Sequence, residues 1–422
     1  MRSRPSTAAR GWRSTVRRAR YPVLAGAGVW LIVHAGLVIA TGSATILILP
    51  FMKGGAAAPS WHQAILTLIE RWTNWDGGWY VGIAAHGYSP DATAFFPLFP
   101  MLVRAVGLGV HAVAAPLAPA VAGEAWRVAA LIVANAMGLA AMIAVAALVL
   151  QETRNRRLVL VTLVLLAAYP VAFYLAAGYT ESTSITFVAL TLLLLRRRCW
   201  WGAAAAAVLA ALAHSTGVLL AIPIAYEYAR LHGWWRPAWW RSGWGLGRLR
   251  EVAVGVVAIA AAPVGLGAYL AYLWTRFGDP LVFVRSEAIV WGRRSAAPWQ
   301  TAEAVLHVFR HPSTEVWRYL TAFDLLALGG FALVVVLCAR KLPVSFTLYG
   351  VALVLLSIVE SAPGGPDPIT SSARYLLVGV PAFIGAGVLL RNRPYLLATV
   401  VIVGLLLQGV LVTVWLTGTY VE

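Results

Sequence analysis

The sequence predicts an all-α polytopic membrane protein, a bundle of about eleven transmembrane helices with a helical first outer loop. Three observations carry that reading. Hydrophobic residues make up 60% of the 422 and charged residues only 12%, and mean hydropathy is +0.77, far from a soluble average. Apolar runs of spanning length recur along most of the chain. Basic residues gather in the short loops between those runs, the pattern of loops kept on the cytoplasmic side.

The spans are expected near 22–50, 127–150, 158–177, 182–195, 200–213, 216–229, 251–275, 320–339, 343–360, 373–390 and 394–418. Six basic clusters separate them: residues 1–20, 154–157, 196–198, 230–250, 340–341 and 391–393, together holding 22 of the 33 Lys and Arg. The remaining loops and neighbouring spans hold 13 of the 16 acids. This alternation places the N-terminus inside and the C-terminus outside, with long outer segments at 51–126, 276–319 and 361–372. The whole chain, 1–422, reads as a single membrane-embedded domain. The pair 200–213 and 216–229 is too short for two ordinary spans. The break at His214-Ser-Thr-Gly217 is therefore expected inside the bilayer, where irregular backbone survives only if it lines a cavity or is buried in protein. In the first outer segment, Ile65, Leu66, Leu68 and Ile69 recur at helical spacing within Trp61–Arg71, so that stretch is expected to be a helix lying along the interface.

The net charge of +17 does not imply a nucleic-acid partner, because its distribution follows the topology. Cys199 and Cys338 form neither a disulfide framework nor a zinc spacing. The chain has no G-x-x-x-x-G-K-[ST], H-E-x-x-H or G-x-S-x-G motif. It also has no D-x-D, the metal and nucleotide-sugar signature of soluble glycosyltransferases. Without that motif a metal is optional, and neither a metal nor a cofactor is assigned.

The chemistry is expected around Arg71-Trp-Thr-Asn-Trp-Asp76-Gly-Gly-Trp-Tyr80. Here one carboxylate lies among aromatic rings just after the first span. Such rings anchor at the headgroup level and also stack on sugar faces. An interfacial belt explains the rings but not the acid. Asp76 is the candidate general base, with helix capping as the structural alternative. Trp75, Trp79 and Tyr80 are candidates for a sugar pocket. Glu181 opens a span, where a helix dipole alone favours an acid; its functional role would be to position an acceptor. His214 lies in the intramembrane break and could donate a hydrogen bond to a phosphate. Arg374 opens another span and is suited to hold a leaving phosphate, with snorkelling as its alternative. Arg285 competes for the same role.

These segments resemble a known family. Trp75-Asp76-Gly-Gly-Trp-Tyr80, Ile83-Ala-Ala-His-Gly-Tyr88 and Ala94-Phe-Phe-Pro-Leu-Phe-Pro100 are similar to the first-loop signature of the PIG-V-type mannosyltransferases, in the GT-C superfamily. Tyr179-Thr-Glu-Ser182, Phe277-Gly-Asp-Pro280 with Trp291-Gly292, and Ser372-Ala-Arg-Tyr375 follow in the family's order. The resemblance implies a GT-C-like bundle and a catalytic aspartate in the first outer loop, Asp76 here. It also implies a polyprenyl-phosphate-mannose donor and inversion at the anomeric carbon. Where the family carries an arginine in an Arg-Ser/Thr-x-Gly-like stretch, this chain has His214. With 31 Arg against 2 Lys, the chain has the composition of a GC-rich bacterial product. The expected acceptor is then a cell-envelope glycolipid, lipoglycan or secreted protein. Alternatives are a lipid-linked sugar flippase, a non-catalytic subunit of a glycosylation complex, and a protein O-mannosyltransferase.

Overall fold

The computed structural model describes residues 7–48, 60–117, 122–241, 244–311, 313–419 and 421. The first six residues of the basic N-terminus, the last two of the expected first span (49–50), and residues 51–59 and 118–121 of the first outer segment lie outside them. The fold is helical throughout, apart from a two-residue antiparallel pairing of Arg294–Ser295 with Glu360–Ser361.

The chain begins with α1 (Thr7–Ser43), extended by a π-helical turn over Ala44–Ile48. Then come α2 (Trp61–Arg71), α3 (Asp76–His86), α4 (Leu98–Leu117) and α5 (Ala125–Thr153). The expected helix Trp61–Arg71 is present, and Ser60 starts it with a capping box to Gln63. Helices α6 (Arg156–Ala167), α7 (Glu181–Arg196), α8 (Trp200–Ala213) and α9 (Ala221–His232) form the middle of the bundle. They are followed by α10 (Leu246–Phe277), α11 (Val282–Val290), α12 (Pro298–Arg310), α13 (Glu315–Cys338) and α14 (Val344–Val359). The chain closes with α15 (Ser372–Tyr375), α16 (Val380–Leu390) and α17 (Pro394–Leu416).

Among the described residues, six helices are long and apolar enough to cross a membrane. They are α1, α4, α5, α10, α13 and α17. A seventh candidate, 372–390, is bent by 85° between α15 and α16. This is a multi-pass membrane protein, but its helices differ in two ways from the expected spans. The segments expected at 158–177, 182–195 and 216–229 are shorter helices joined by irregular backbone. Nearly every residue of α7 is buried. A helix surrounded by protein does not have its length set by the bilayer, and its neighbours satisfy the backbone where it breaks. The second difference is α4, which the sequence left inside an outer loop. It folds back along the start of α5, with Gly107 against the Trp126 ring.

The packing gives the bundle two chemically different ends. At one end Arg196 pairs with Glu152 at 2.9 Å and with Glu227 at 2.8 Å. Arg230 reaches Glu227 at 2.9 Å, and Ser345 Oγ donates to it at 2.7 Å. This network ties the ends of α5, α7 and α9 to the start of α14. Glu227→Gln is expected to lower stability by about 2 kcal/mol, since charge-assisted bonds to a mostly buried carboxylate are lost. The measurement is a thermal midpoint in detergent. The network lies at the end of the bundle away from Asp76.

Candidate active site

The other end is assembled from three separated segments. The turn between α2 and α3 comes first. Thr73 Oγ1 donates to the Ile69 carbonyl at 2.7 Å and accepts from Arg127 at 2.8 Å. Trp75 then takes φ 57°, ψ −124°, a conformation costly for a bulky side chain. It stands in the N-cap position without a side-chain capping bond, and Asp76 follows as the first helical residue. The capping alternative therefore does not account for the Asp76 carboxylate.

The second segment, 178–181, is clamped to that turn. The Gly178 N–H donates to the Trp72 carbonyl at 2.9 Å, and the Tyr179 hydroxyl donates to the Asn74 carbonyl at 3.0 Å. Two glycines allow the approach. A Cβ on Gly77 would meet the Gly178 carbonyl at 3.3 Å, and one on Gly178 would meet Thr73 at 2.9 Å. The clamp brings Glu181, the first residue of α7, to the same place.

The third segment carries Arg374 on α15. Its Nη1 lies 2.7 Å from Asp76 Oδ2, and its Nε lies 3.4 Å from Glu181 Oε1. The guanidinium also lies against the rings of Tyr174, Tyr179 and Tyr375, with its carbon 5.2, 5.4 and 5.3 Å from their centroids. The Arg374 side chain is 4% exposed and that of Asp76 16%. The carboxylate is therefore the more accessible partner.

These groups line a cavity of about 520 Å³ together with Trp75, Trp79, Tyr80, His214, Glu287, Trp291 and Arg293. Trp79 stacks on Phe95 with centroids 5.8 Å apart, and Trp291 closes on both edgewise. A smaller compartment of about 170 Å³ adjoins it. His214, Glu287, Arg293, Thr370 and Tyr375 belong to both walls. His214 Nδ1 lies 3.0 Å from Thr216 Oγ1 and accepts from the Thr216 N–H at 3.3 Å.

Seven of the eight residues singled out from sequence therefore meet at one cavity: Asp76, Trp75, Trp79, Tyr80, Glu181, His214 and Arg374. Arg285 is the exception. Its side chain is 71% exposed, it pairs with Asp279 at 2.8 Å, and it lines neither compartment. It lies on α11 two positions before Glu287, and that offset turns it away from the wall.

The arginine common to both walls is Arg293, from an outer segment in which the sequence singles out only Arg285. It donates to the Tyr375 hydroxyl and to the Thr370 carbonyl, both at 2.6 Å. Glu287, from the same outer segment, also lines both compartments. The signal that could have found both is Gly292, which takes φ 67° and turns the chain back toward the cavity after Trp291.

Burial pushes the Glu287 carboxyl up to about 7, against the pull of Arg293, while Glu360 and Asp76 add to the rise. A carboxyl raised in this way contributes stability below its ordinary value. It loses that contribution as pH climbs through about 7. Glu287→Gln has no charge to bury. It should raise the unfolding midpoint clearly at pH 8 and hardly at pH 5, and equal changes at both would contradict this assignment.

Residues 33–232 match the family model for mannosyltransferase (PIG-V). Over that stretch, 200 of the 422 residues, the chain is similar to the PIG-V-type mannosyltransferases. The match includes Asp76 with its aromatic neighbours, Glu181 and His214. Arg374, Arg293 and Glu287 come from beyond the matched residues. No curated protein and no solved structure matches the chain. Mannosyl transfer is the activity that the family supports.

Proposed function

We propose that this protein is a mannosyltransferase that moves mannose from a polyprenyl-phosphate donor to a membrane or envelope acceptor on the extracytoplasmic side, with Asp76 as the base. The observation that carries this reading is the Asp76–Arg374–Glu181 cluster at the wall of an aromatic cavity. The acceptor oxygen attacks the anomeric carbon of mannose while the bond to the phosphate oxygen breaks. Asp76 takes the acceptor's proton, and the polyprenyl phosphate leaves with the bonding electrons. Inversion of a β-linked donor gives an α-mannoside.

Arg374 is ion-paired to both carboxylates, which supports a role in holding Asp76 oriented. The leaving phosphate is better served by Arg293, which lies in the wall common to both compartments, with His214 beside it. Trp75, Trp79 and Tyr80 shape the sugar pocket. The arginine-rich end, with Arg196 and Arg230, faces the cytoplasm under the positive-inside rule. That rule puts the Asp76 end outside, where a lipid-linked donor, and no nucleotide sugar, is at hand.

The test is transfer from radiolabelled polyprenyl-phosphate-mannose to endogenous acceptors in membranes of a deletion strain with and without the restored gene. Label appearing only with the gene, and released by α-mannosidase, is the expected result, and the labelled product names the acceptor. No gene-dependent label from this donor would exclude it. Label in protein, with none in lipid, would make the acceptor a polypeptide.

A further inference from the structure

Arg374 is held in place by the residue before it. Ala373 is fully buried. Its N–H donates to Asp324 Oδ1 at 2.6 Å, and its carbonyl accepts from the Tyr169 hydroxyl at 3.1 Å. Both backbone groups of this one residue are thus fixed by side chains from elsewhere, one from α13 and one from the turn after α6. Ser371, just upstream, takes φ 62°, ψ 14°. A left-handed serine at this point persists only if its surroundings over-determine it.

Asp324 is 1% exposed and lies within the apolar α13. An acid there is expensive and calls for a role. It does not line either compartment. Its neighbour is Asp367, 2% exposed, which accepts from Thr321 Oγ1 at 3.0 Å and from the Ile369 N–H at 3.2 Å.

We propose that Asp324 is a positioning residue that holds Arg374 against Asp76. The inference rests on the reading of Asp76 as the base. The bond from the Ala373 N–H also identifies a conservative replacement. The amide of Asp324→Asn can still accept from the Ala373 N–H with its oxygen. Asp324→Leu keeps the branched shape and cannot accept.

The experiment measures initial rates of mannosyl transfer from the radiolabelled polyprenyl-phosphate donor, with detergent gel filtration of each variant. Asp324→Asn should keep kcat within about threefold of the wild type, since the hydrogen bond from Ala373 survives. Asp324→Leu should lose about a hundredfold in kcat with the donor KM nearly unchanged, the pattern of a misplaced catalytic group. Should Asp324→Leu fail to fold, Tyr169→Phe decides: it removes only the grip on the Ala373 carbonyl, and a fall in kcat at constant KM supports the proposal. A folded Asp324→Leu or Tyr169→Phe with wild-type kcat would overturn it. So would Asp324→Asn losing as much as Asp324→Leu. Asp76→Asn, run alongside, separates the two readings. If Asp76→Asn is fully active the base assignment fails and takes this proposal with it. If it is inactive while the Asp324 variants are unaffected, only the positioning role fails.

Discussion

Asp76→Asn is expected to lower the rate of mannosyl transfer by roughly two to four orders of magnitude while leaving the protein folded and its donor KM little changed. The amide is nearly isosteric, and its oxygen can still accept from Arg374, 2.7 Å away in the wild type. Glu181 continues to balance the guanidinium. What the amide lacks is the basicity to take a proton from the attacking hydroxyl. Asp76→Glu is the complementary probe. It keeps the base but pushes the carboxylate past the position set by the strained Trp75 turn, and displacement of a catalytic group by about 1 Å costs on the order of a hundredfold. The pair of results distinguishes chemistry from charge. If only a negative charge were needed beside Arg374, the glutamate variant would be close to wild type. If Asp76→Asn were itself close to wild type, Asp76 would not be the base.

The sequence made the parts of this site legible but not their assembly. Asp76 stood out because an interfacial belt explains tryptophans and not an acid between them. Glu181 and Arg374 stood out as charges at the ends of apolar runs. Nothing in their spacing said that one arginine would pair with both acids. That pairing depends on Gly77 and Gly178 letting two loops touch, and on a bend of 85° after α15. Arg285 and Arg293 show the limit from the other side. Both lie in one polar outer segment of similar composition, and backbone direction alone decides which one lines the cavity. Asp324 was readable in principle, as a lone acid within an apolar span, but the backbone that it holds, at Ala373, comes from a distant segment. The helices were clearest where lipid sets their length, as in α10 and α17. They were least clear in the buried middle of the bundle, where apolar runs continue through breaks that only protein neighbours make possible.

Arg374→Met should be the more damaging change, because it removes the only cation ion-paired to Asp76 and Glu181 among the described residues. Two carboxylates, 16% and 7% exposed, would then face each other in the wall. Leaving a buried charge uncompensated costs about 3–5 kcal/mol. Part of that would be relieved by one acid taking up a proton. Transfer should fall by at least a hundredfold, since a protonated or reoriented Asp76 cannot act as the base. Arg374→Lys keeps the charge but not the planar fork that reaches both acids and lies against three tyrosines. It should fall between wild type and Arg374→Met in both rate and thermal midpoint. The decisive variant is the double Arg374→Met with Glu181→Gln. Removing the second carboxylate relieves the repulsion, so the midpoint should recover most of what the single variant lost. The rate should not recover, because Asp76 still has no partner to hold it aimed. If rate and midpoint recovered together, Arg374 would be a charge balance for Glu181 and nothing more. If neither recovered, the damage would lie in the tyrosine cage around the guanidinium, with the ion pairs secondary. Recovery of stability without activity is the outcome that assigns Arg374 to the chemistry of Asp76.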